Sequence, residues 1–165
     1  MEFLVIQTLN GLSYGLLLFL LSAGLTLIFS MMGVLNFAHA SFYMIGAYFG
    51  YQITRWVGFW PGLLVAPLAV GAIGMLVERY GLRRVHKHGH VAELLFTFGL
   101  AYIIEEAIHL VWGRAAVEYN PPPFLDGPLF TVFGSSFPIY RGFTAAVAIA
   151  MLVAIYLGLT RTRVG

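Results

Sequence analysis

Apolar residues form long tracts along the chain, and most charged residues lie in the short segments between them. Nothing from Phe3 to Thr54 carries a formal charge. A helix needs about 20 mostly apolar residues to cross the hydrocarbon core of a membrane. Five stretches meet this requirement: Leu9–Met31, Asn36–Thr54, Trp60–Val77, Ala92–Trp112 and Gly142–Leu159. They lack the polar–apolar alternation of barrel strands, so the pattern predicts an all-α, polytopic membrane helix bundle.

The composition excludes a soluble domain and several kinds of chemistry. The chain is 60 % hydrophobic and only 10 % charged, whereas a soluble domain has about 25 % charged residues. It has no cysteine, which excludes disulfides, thiolate metal sites and cysteine nucleophiles. The N-terminus lacks the basic region and small-residue cleavage site of a signal peptide. We therefore expect the first apolar segment to be retained as a span.

The distribution of basic residues predicts the orientation in the membrane, because basic loops prefer the cytoplasm. Segment 79–90 holds four fixed cations and no acid, and the C-terminal end adds two more. These are Arg79, Arg83, Arg84, Lys87, Arg161 and Arg163. Segment 113–141 has two basic and two acidic residues. With five spans, we expect 79–90 and the C-terminus inside, and the N-terminus and 113–141 outside.

The outer segment carries its own structural signals. Three successive prolines at 121–123 block a helix and favour extended chain. The apolar runs "LFTVF" and "FPIY" then flank a Gly-Ser-Ser turn. This arrangement predicts a small β-hairpin in the outer loop.

Polar residues interrupt the first apolar region in "GVLNFAHAS". Gly33 can end a helix in the left-handed conformation, and Asn36 can cap the next helix with its side-chain oxygen. The turn has no lysine or arginine, so we expect protein to shield it, and broken helices often border transport pathways. His39 and Ser41 follow one turn later. They either brace the join or line a pathway.

Two glutamates lie near the outer end of the fourth span. Glu105 and His109 are four residues apart and share a helix face, so they can form a hydrogen bond. One interpretation is a proton relay or ion site built from Glu105, Glu106 and His109. The other is that both carboxylates reach the outer interface near Arg114.

Two further patterns have structural interpretations. Gly11/Gly15 and Gly46/Gly50 repeat at four-residue spacing, which lets helices approach closely within the bundle or against a partner subunit. His86, His88 and His90 would point the same way on an extended segment, as metal ligands do. The surrounding cations, with no carboxylate on the loop, favour a solvated basic loop instead, and we expect no metal site.

Motifs for catalysis and nucleotide binding are absent from the sequence. There is no P-loop, no G-x-S-x-G, no H-E-x-x-H and no dinucleotide fingerprint. The basic residues are already explained by membrane orientation, so nucleic acid is not implied. We expect a protein that is not an enzyme, and any ATP that it uses must be hydrolysed by another chain.

The residues at 9–51 resemble the opening of the branched-chain amino acid ABC transporter permeases of the LivH type. The likeness rests on Asn-Phe-Ala-His at 36–39, Met-x-Gly-Ala-Tyr at 44–48, "LLFTFGLAYII" at 94–104 and "LTRTRVG" at 159–165. Many relatives have uncharged or basic-polar residues where Glu105 and Glu106 stand. In relatives, the stretch after 165 leads into a loop that contacts ATPase subunits and then into further spans. We therefore expect 1–165 to be a single transmembrane permease domain representing the front half of a longer permease.

The resemblance implies a multi-pass inner-membrane subunit of an importer for leucine, isoleucine or valine. Its partners would be a second permease subunit, two cytoplasmic ATPases, a periplasmic amino-acid-binding protein and membrane lipid. The chain itself would bind no cofactor. Asn36, His39 and Ser41 would lie near the translocation route.

Three other functions are left open at this stage. A proton- or ion-coupled transporter or channel would use Glu105, Glu106 and His109. An intramembrane enzyme would use His39 as a base. Related permeases also move urea and short amides, and the residues do not separate those substrates from amino acids.

Overall fold

The computed structural model describes residues 2–33, 35–132 and 135–161. It is a mostly helical protein, which confirms the predicted fold class. The helices are α1 (Glu2–Met32), α2 (His39–Val57), α3 (Phe59–Val77), the short α4 (Arg83–Val85), α5 (His90–Trp112) and α6 (Ile139–Arg161). The five long helices correspond to the five predicted spans. The largest difference in their limits is at α1, which begins at Glu2 and not Leu9; the other limits, such as the start of α2 at His39 and not Asn36, differ by three residues or fewer.

Four segments in the described part of the chain are long and apolar enough to cross a membrane. They are Leu4–Ser30, Phe59–His88, His90–Trp112 and Ile139–Arg161. α2 does not meet the same criterion, because polar residues such as Ser41, Gln52 and Arg55 lower its mean hydropathy. α2 instead packs against α3 and α5, so protein covers part of its surface. The protein is therefore a multi-pass membrane protein in which one helix is less apolar than the rest.

The connection between α3 and α5 is helical, whereas the sequence analysis described it as a basic loop. A π-helical turn at Glu78–Leu82 continues α3, α4 follows, and a 3₁₀ turn at His86–His88 completes the connection. Leu82 is buried, and a Cβ added to Gly81 would lie 2.5 Å from the Phe96 ring. This close contact with α5 holds the connection in a helical path.

The chain divides into two compact units, Leu25–Tyr119 and Met1–Gly24 with Asn120–Gly165. In the first of these, a buried cluster joins α2 to α5. Its buried members are Ile45, Ile104 and Ile108, and aromatic and aliphatic side chains of α2, α3 and α5 surround them. Lipid tails are as apolar as these side chains, so close packing contributes more to helix association than removal from water does.

α2 and α3 form a tight helical hairpin with one intervening residue, Gly58. Its φ of +105° lies where only glycine is readily accommodated, and its N–H donates to the Thr54 carbonyl at 3.1 Å. At Gly62 the helices come so close that an added Cβ would lie 2.5 Å from the Thr54 Oγ1. Small residues therefore allow the two backbones to approach.

The second unit contains the predicted β-hairpin. Strand β1 (Pro128–Val132) pairs antiparallel with β2 (Ser135–Pro138), which confirms the hairpin; residues 133–134 at its tip lie outside the described residues. Phe130 and Phe137 stack across the strands with ring centroids 5.2 Å apart. The preceding prolines lead into a turn, in which the Leu125 N–H donates to the Pro122 carbonyl at 2.8 Å.

Candidate functional site

Gly33 and Asn36 build the join between α1 and α2. Gly33 has the predicted role, but the N-cap of α2 is Ala38 and not Asn36, and no side chain caps this helix start. Gly33 has a φ of +66° and its N–H donates to the Phe29 carbonyl at 2.8 Å, so it ends α1. The Asn36 Oδ1 accepts a hydrogen bond from the Ala38 N–H at 3.0 Å. The Asn36 carbonyl also accepts from the His39 N–H at 3.1 Å. Asn36 thus satisfies backbone donors that the start of α2 leaves free.

Protein shields this join on one side. Asn36 is 8 % exposed and Ala38 is fully buried, which agrees with the expectation of a covered turn. The Phe37 ring meets the Phe98 ring of α5 edge-on, with centroids 6.5 Å apart. The break in the helical path therefore lies beside the first half of α5. His39 and Ser41 are half-buried in the first turn of α2, and their roles stay predictions.

α5 carries a buried polar stripe that the sequence analysis missed. Glu93 is 2 % exposed and Thr97 is fully buried, and they lie four residues apart on one helix face. The Thr97 hydroxyl donates to the Leu94 carbonyl at 3.2 Å. Thr97 precedes Phe98, which contacts the α1–α2 join. The buried polar pair and the residue that contacts the join therefore lie on the same half of α5.

Glu93 contacts one histidine of the connection and one histidine of its own helix, α5. The His86 Nδ1 contacts one carboxylate oxygen of Glu93, and the His90 Nδ1 lies 3.2 Å from the other. The sequence analysis began the fourth span at Ala92 and judged the histidine loop to lack a carboxylate. Helical spacing could not indicate this contact, because Gly89, with a φ of +91°, separates the 3₁₀ turn that contains His86 from α5.

The histidines do not form the arrangement considered from the sequence. His86, His88 and His90 would point the same way only on an extended segment, but His86–His88 is a 3₁₀ turn and His90 begins α5. Within the described ranges, no group of three histidine, aspartate or glutamate side chains could hold a metal ion.

Glu105 and Glu106, near the C-terminal end of α5, are exposed. Glu106 accepts a hydrogen bond from Arg114 at 3.3 Å, which is the interfacial geometry considered from the sequence. The hydrogen bond expected between Glu105 and His109 is not formed. The His109 Nδ1 lies 3.9 Å from Glu106 Oε1 and has no hydrogen-bond partner among the residues described.

The two glycine pairs differ in their surroundings. A Cβ on Gly46 would lie 3.7 Å from Val70, and one on Gly50 would lie 3.9 Å from Ala66. This pair faces α3, so it serves packing within the protein. Around Gly11 and Gly15, by contrast, no atom of the described residues lies within 4 Å of the added Cβ.

A polar contact between α2 and α5 was also missed. The Trp112 Nε1 donates to Gln52 Oε1 at 3.2 Å, and the same indole packs against Tyr48 with ring centroids 5.2 Å apart. Hydrogen bonds between membrane helices contribute about 0.6 kcal/mol on average. The contact joins the two helices at the opposite end from the Phe37–Phe98 pair.

Comparison with protein families decides the identity of this helical membrane protein. Residues 7–165 match the family described as the branched-chain amino acid transport system permease component. The chain belongs to this permease family. Its resemblance to the LivH type, predicted from the sequence, is confirmed.

Curated relatives from several bacteria are similar over most of the chain. The high-affinity branched-chain amino acid transport system permease protein LivH of Salmonella typhimurium is 26 % identical over 157 residues, covering 89 % of this chain and 50 % of the relative. LivH of Escherichia coli K12 is 27 % identical over 121 residues, covering 67 % and 39 %. BraD of Pseudomonas aeruginosa is 27 % identical over 140 residues, covering 79 % and 44 %.

The chain spans about half the length of the curated relatives that it matches. No solved structure matches it. The relatives are transport permeases by name, and their matches to this chain support membrane transport as its general function.

Proposed function

We propose that this chain supplies part of the translocation pathway of an inner-membrane ABC importer for branched-chain amino acids. The match of residues 7–165 to the permease family carries the proposal, and the relatives' names give the substrate class. A second permease subunit would complete the pathway. Two cytoplasmic ATPases would hydrolyse ATP, so this chain needs no cofactor, and a periplasmic binding protein would deliver leucine, isoleucine or valine.

The α1–α2 join is the part of the chain that we assign to the pathway. Backbone outside a regular helix is tolerated at membrane depth only where protein or a water-filled cavity covers it. Asn36 is buried and hydrogen-bonded there, and His39 and Ser41 follow at half-buried positions. A route with few polar groups and no fixed charge suits a zwitterion that has an apolar side chain.

Co-purification is the experiment that tests the proposed assembly. The uninterrupted native gene would be expressed with a tag, its membranes solubilised gently, and the proteins that co-purify identified. We expect a permease accompanied by a second permease and two ATPase chains. Recovery of this chain without an ATPase would contradict the importer.

Transport assays separate the importer from an ion-coupled transporter. The double substitution Glu105→Gln/Glu106→Gln removes both carboxylates from the exposed outer end of α5. The importer predicts that uptake of labelled leucine continues and depends on ATP, because Glu106 pairs with Arg114 at the surface. Uptake that follows an ion gradient and is abolished in the double variant would favour the ion-coupled alternative. Competition by urea or acetamide in the same assay separates the substrate classes.

A further inference from the structure

The helical connection between α3 and α5 presents a row of cations on one face. Most residues of the connection are exposed, while Gly81 and Val85 are half-buried and Leu82 is buried. The exposed members are Arg79, Tyr80, Arg83, Arg84, His86, Lys87 and His88. We call the cations Arg79, Arg84 and Lys87 the basic face.

The acidic residues beside this face are occupied by other partners. Glu78 Oε1 accepts a hydrogen bond from Arg83 Nε at 2.6 Å, which is why Arg83 is left out of the basic face. Glu93 is buried and bound by His86 and His90. Neither carboxylate is therefore free to neutralise Arg79, Arg84 or Lys87, and the charge of the basic face is directed outward.

The connection is also held firmly in place. Glu93 holds its C-terminal end through His86, and the Gly81–Phe96 contact fixes its middle on α5. A cationic surface that is already ordered loses less side-chain and backbone entropy when it binds. The basic face is thus organised before any partner arrives.

Its position in the chain indicates the partner. α3 is an apolar helix of 19 residues that ends at Val77, and Arg79 stands two residues beyond that end. Basic residues directly after a membrane span lie at the depth of lipid headgroups. The exposed ring of Tyr80 lies under the Arg79 guanidinium at 5.8 Å, and tyrosine is enriched at this depth.

We propose that Arg79, Arg84 and Lys87 form a binding site for the phosphate of an anionic phospholipid headgroup, and that Glu93 positions it. The site is independent of the transported substrate. Lipid is the partner, and not an acidic protein surface, because the cations complement an anionic headgroup and directly follow the apolar helix α3. Glu93 does not touch the lipid and acts by holding the connection through His86.

Lipid titration on the purified permease, with its co-purifying subunits, tests the site. The protein would be reconstituted in nanodiscs of phosphatidylcholine with increasing phosphatidylglycerol, and retention of phosphatidylglycerol would be measured by native mass spectrometry. Each basic side chain near an anionic surface contributes about fivefold in affinity. We therefore expect Arg84→Gln/Lys87→Gln to weaken phosphatidylglycerol binding by about 25-fold, and less so at high salt.

Arg55→Gln is the matched control. Arg55 is an exposed arginine at the far end of α2, where it donates to the Tyr51 hydroxyl at 3.0 Å. Its substitution also removes one cation but should leave phosphatidylglycerol binding unchanged. Equal losses in the control and the double variant would overturn the site. An unchanged affinity of the double variant for phosphatidylglycerol would also overturn the site. This holds whether or not the double substitution removes an ATPase subunit from the complex.

Glu93→Ala tests the positioning role, because a positioning role and a simple charge effect predict opposite changes in affinity for the anionic lipid. Removing a negative charge should strengthen binding of an anionic lipid if charge alone mattered. We expect weaker binding. The variant keeps all the cations of the connection but loses the contact that holds the connection on α5. Glu93→Gln keeps one acceptor oxygen and should restore part of the affinity. Stronger binding by Glu93→Ala would overturn the role assigned to Glu93.

Discussion

At the scale of single residues, one amide oxygen determines how the second helix begins. A helix start leaves several backbone N–H groups without partners, and the Asn36 side chain accepts from one of them at Ala38. The cost of losing this contact is higher where water cannot replace it, and Asn36 and Ala38 are both buried. Asn36 therefore stabilises the join through a hydrogen bond that solvent cannot supply.

Asn36→Ala removes this acceptor. We expect a loss of about 1 kcal/mol in the free energy of unfolding, the usual net contribution of one hydrogen bond. Equilibrium unfolding in mixed micelles measures the change. Asn36→Ser is the control, because serine also presents an oxygen to the nearby N–H groups and should retain most of the stability. Equal destabilisation by both variants would argue that the shape of Asn36 matters and its hydrogen bond does not.

The sequence predicted this join but not the Glu93 clamp, and the reason is the range of the interactions. Gly33 and Asn36 act on backbone groups within a few residues, so residue type alone indicates their roles. The Glu93 contact depends on the break at Gly89 between the connection and α5, across which His86 reaches Glu93 from seven residues away. Helical spacing allows a hydrogen bond between Glu105 and His109, but it is not formed. The glutamate nearer to the His109 ring is Glu106.

At the scale of elements, the α2–α3 hairpin depends on the absence of side-chain atoms at the crossing. An added Cβ at Gly62 would lie 2.5 Å from Thr54 Oγ1 and 3.3 Å from the Gly50 carbonyl oxygen. The second of these is backbone, which cannot move without shifting α2. The helices would have to separate to admit even a methyl group.

Gly62→Ala therefore should destabilise the hairpin, by about 1–3 kcal/mol as for other overpacked contacts. Gly71→Ala is the control on the same helix, where no described atom lies within 4 Å of the added Cβ. Alanine is the better helix former, so the control should be neutral or slightly stabilising. Thermal denaturation of the two purified variants checks the difference, and equal midpoints would contradict close packing at Gly62.

The spans were predictable because each long apolar tract has one stable form in lipid, a helix that satisfies its own backbone hydrogen bonds. The connection at 78–88 was not predictable in this way. It is polar, and its helical form depends on Leu82 and Gly81 packing against α5. Contacts between elements decided its structure, and they cannot be inferred from the local pattern.

At the scale of the whole molecule, the orientation in the membrane rests on the basic residues of 79–90 and the C-terminal end. Their excess predicts a cytoplasmic location for both segments and an outer location for 113–141. The family match is independent of this orientation, so the two are tested separately.

Single cysteines test the orientation cleanly, because the chain has none of its own. We expect a membrane-impermeant maleimide to label Asp126→Cys in spheroplasts but not His88→Cys, since both positions are exposed on the protein and only the former would face outward. Permeabilised cells should give labelling of both, which controls for reactivity. The opposite pattern in intact spheroplasts would invert the orientation and leave the family assignment unchanged.

The modest hydropathy of α2 has a consequence for how the protein is made. Insertion by the translocon depends on the apolar character of a segment, and α2 falls below the threshold met by its neighbours. α3 follows after a single residue, Gly58, so the nascent chain presents both helices almost together. We expect α2 to enter the bilayer only once α3 has emerged from the ribosome, as the accompanying half of a pair. The order of synthesis would then be part of what gives this helix its place in the membrane.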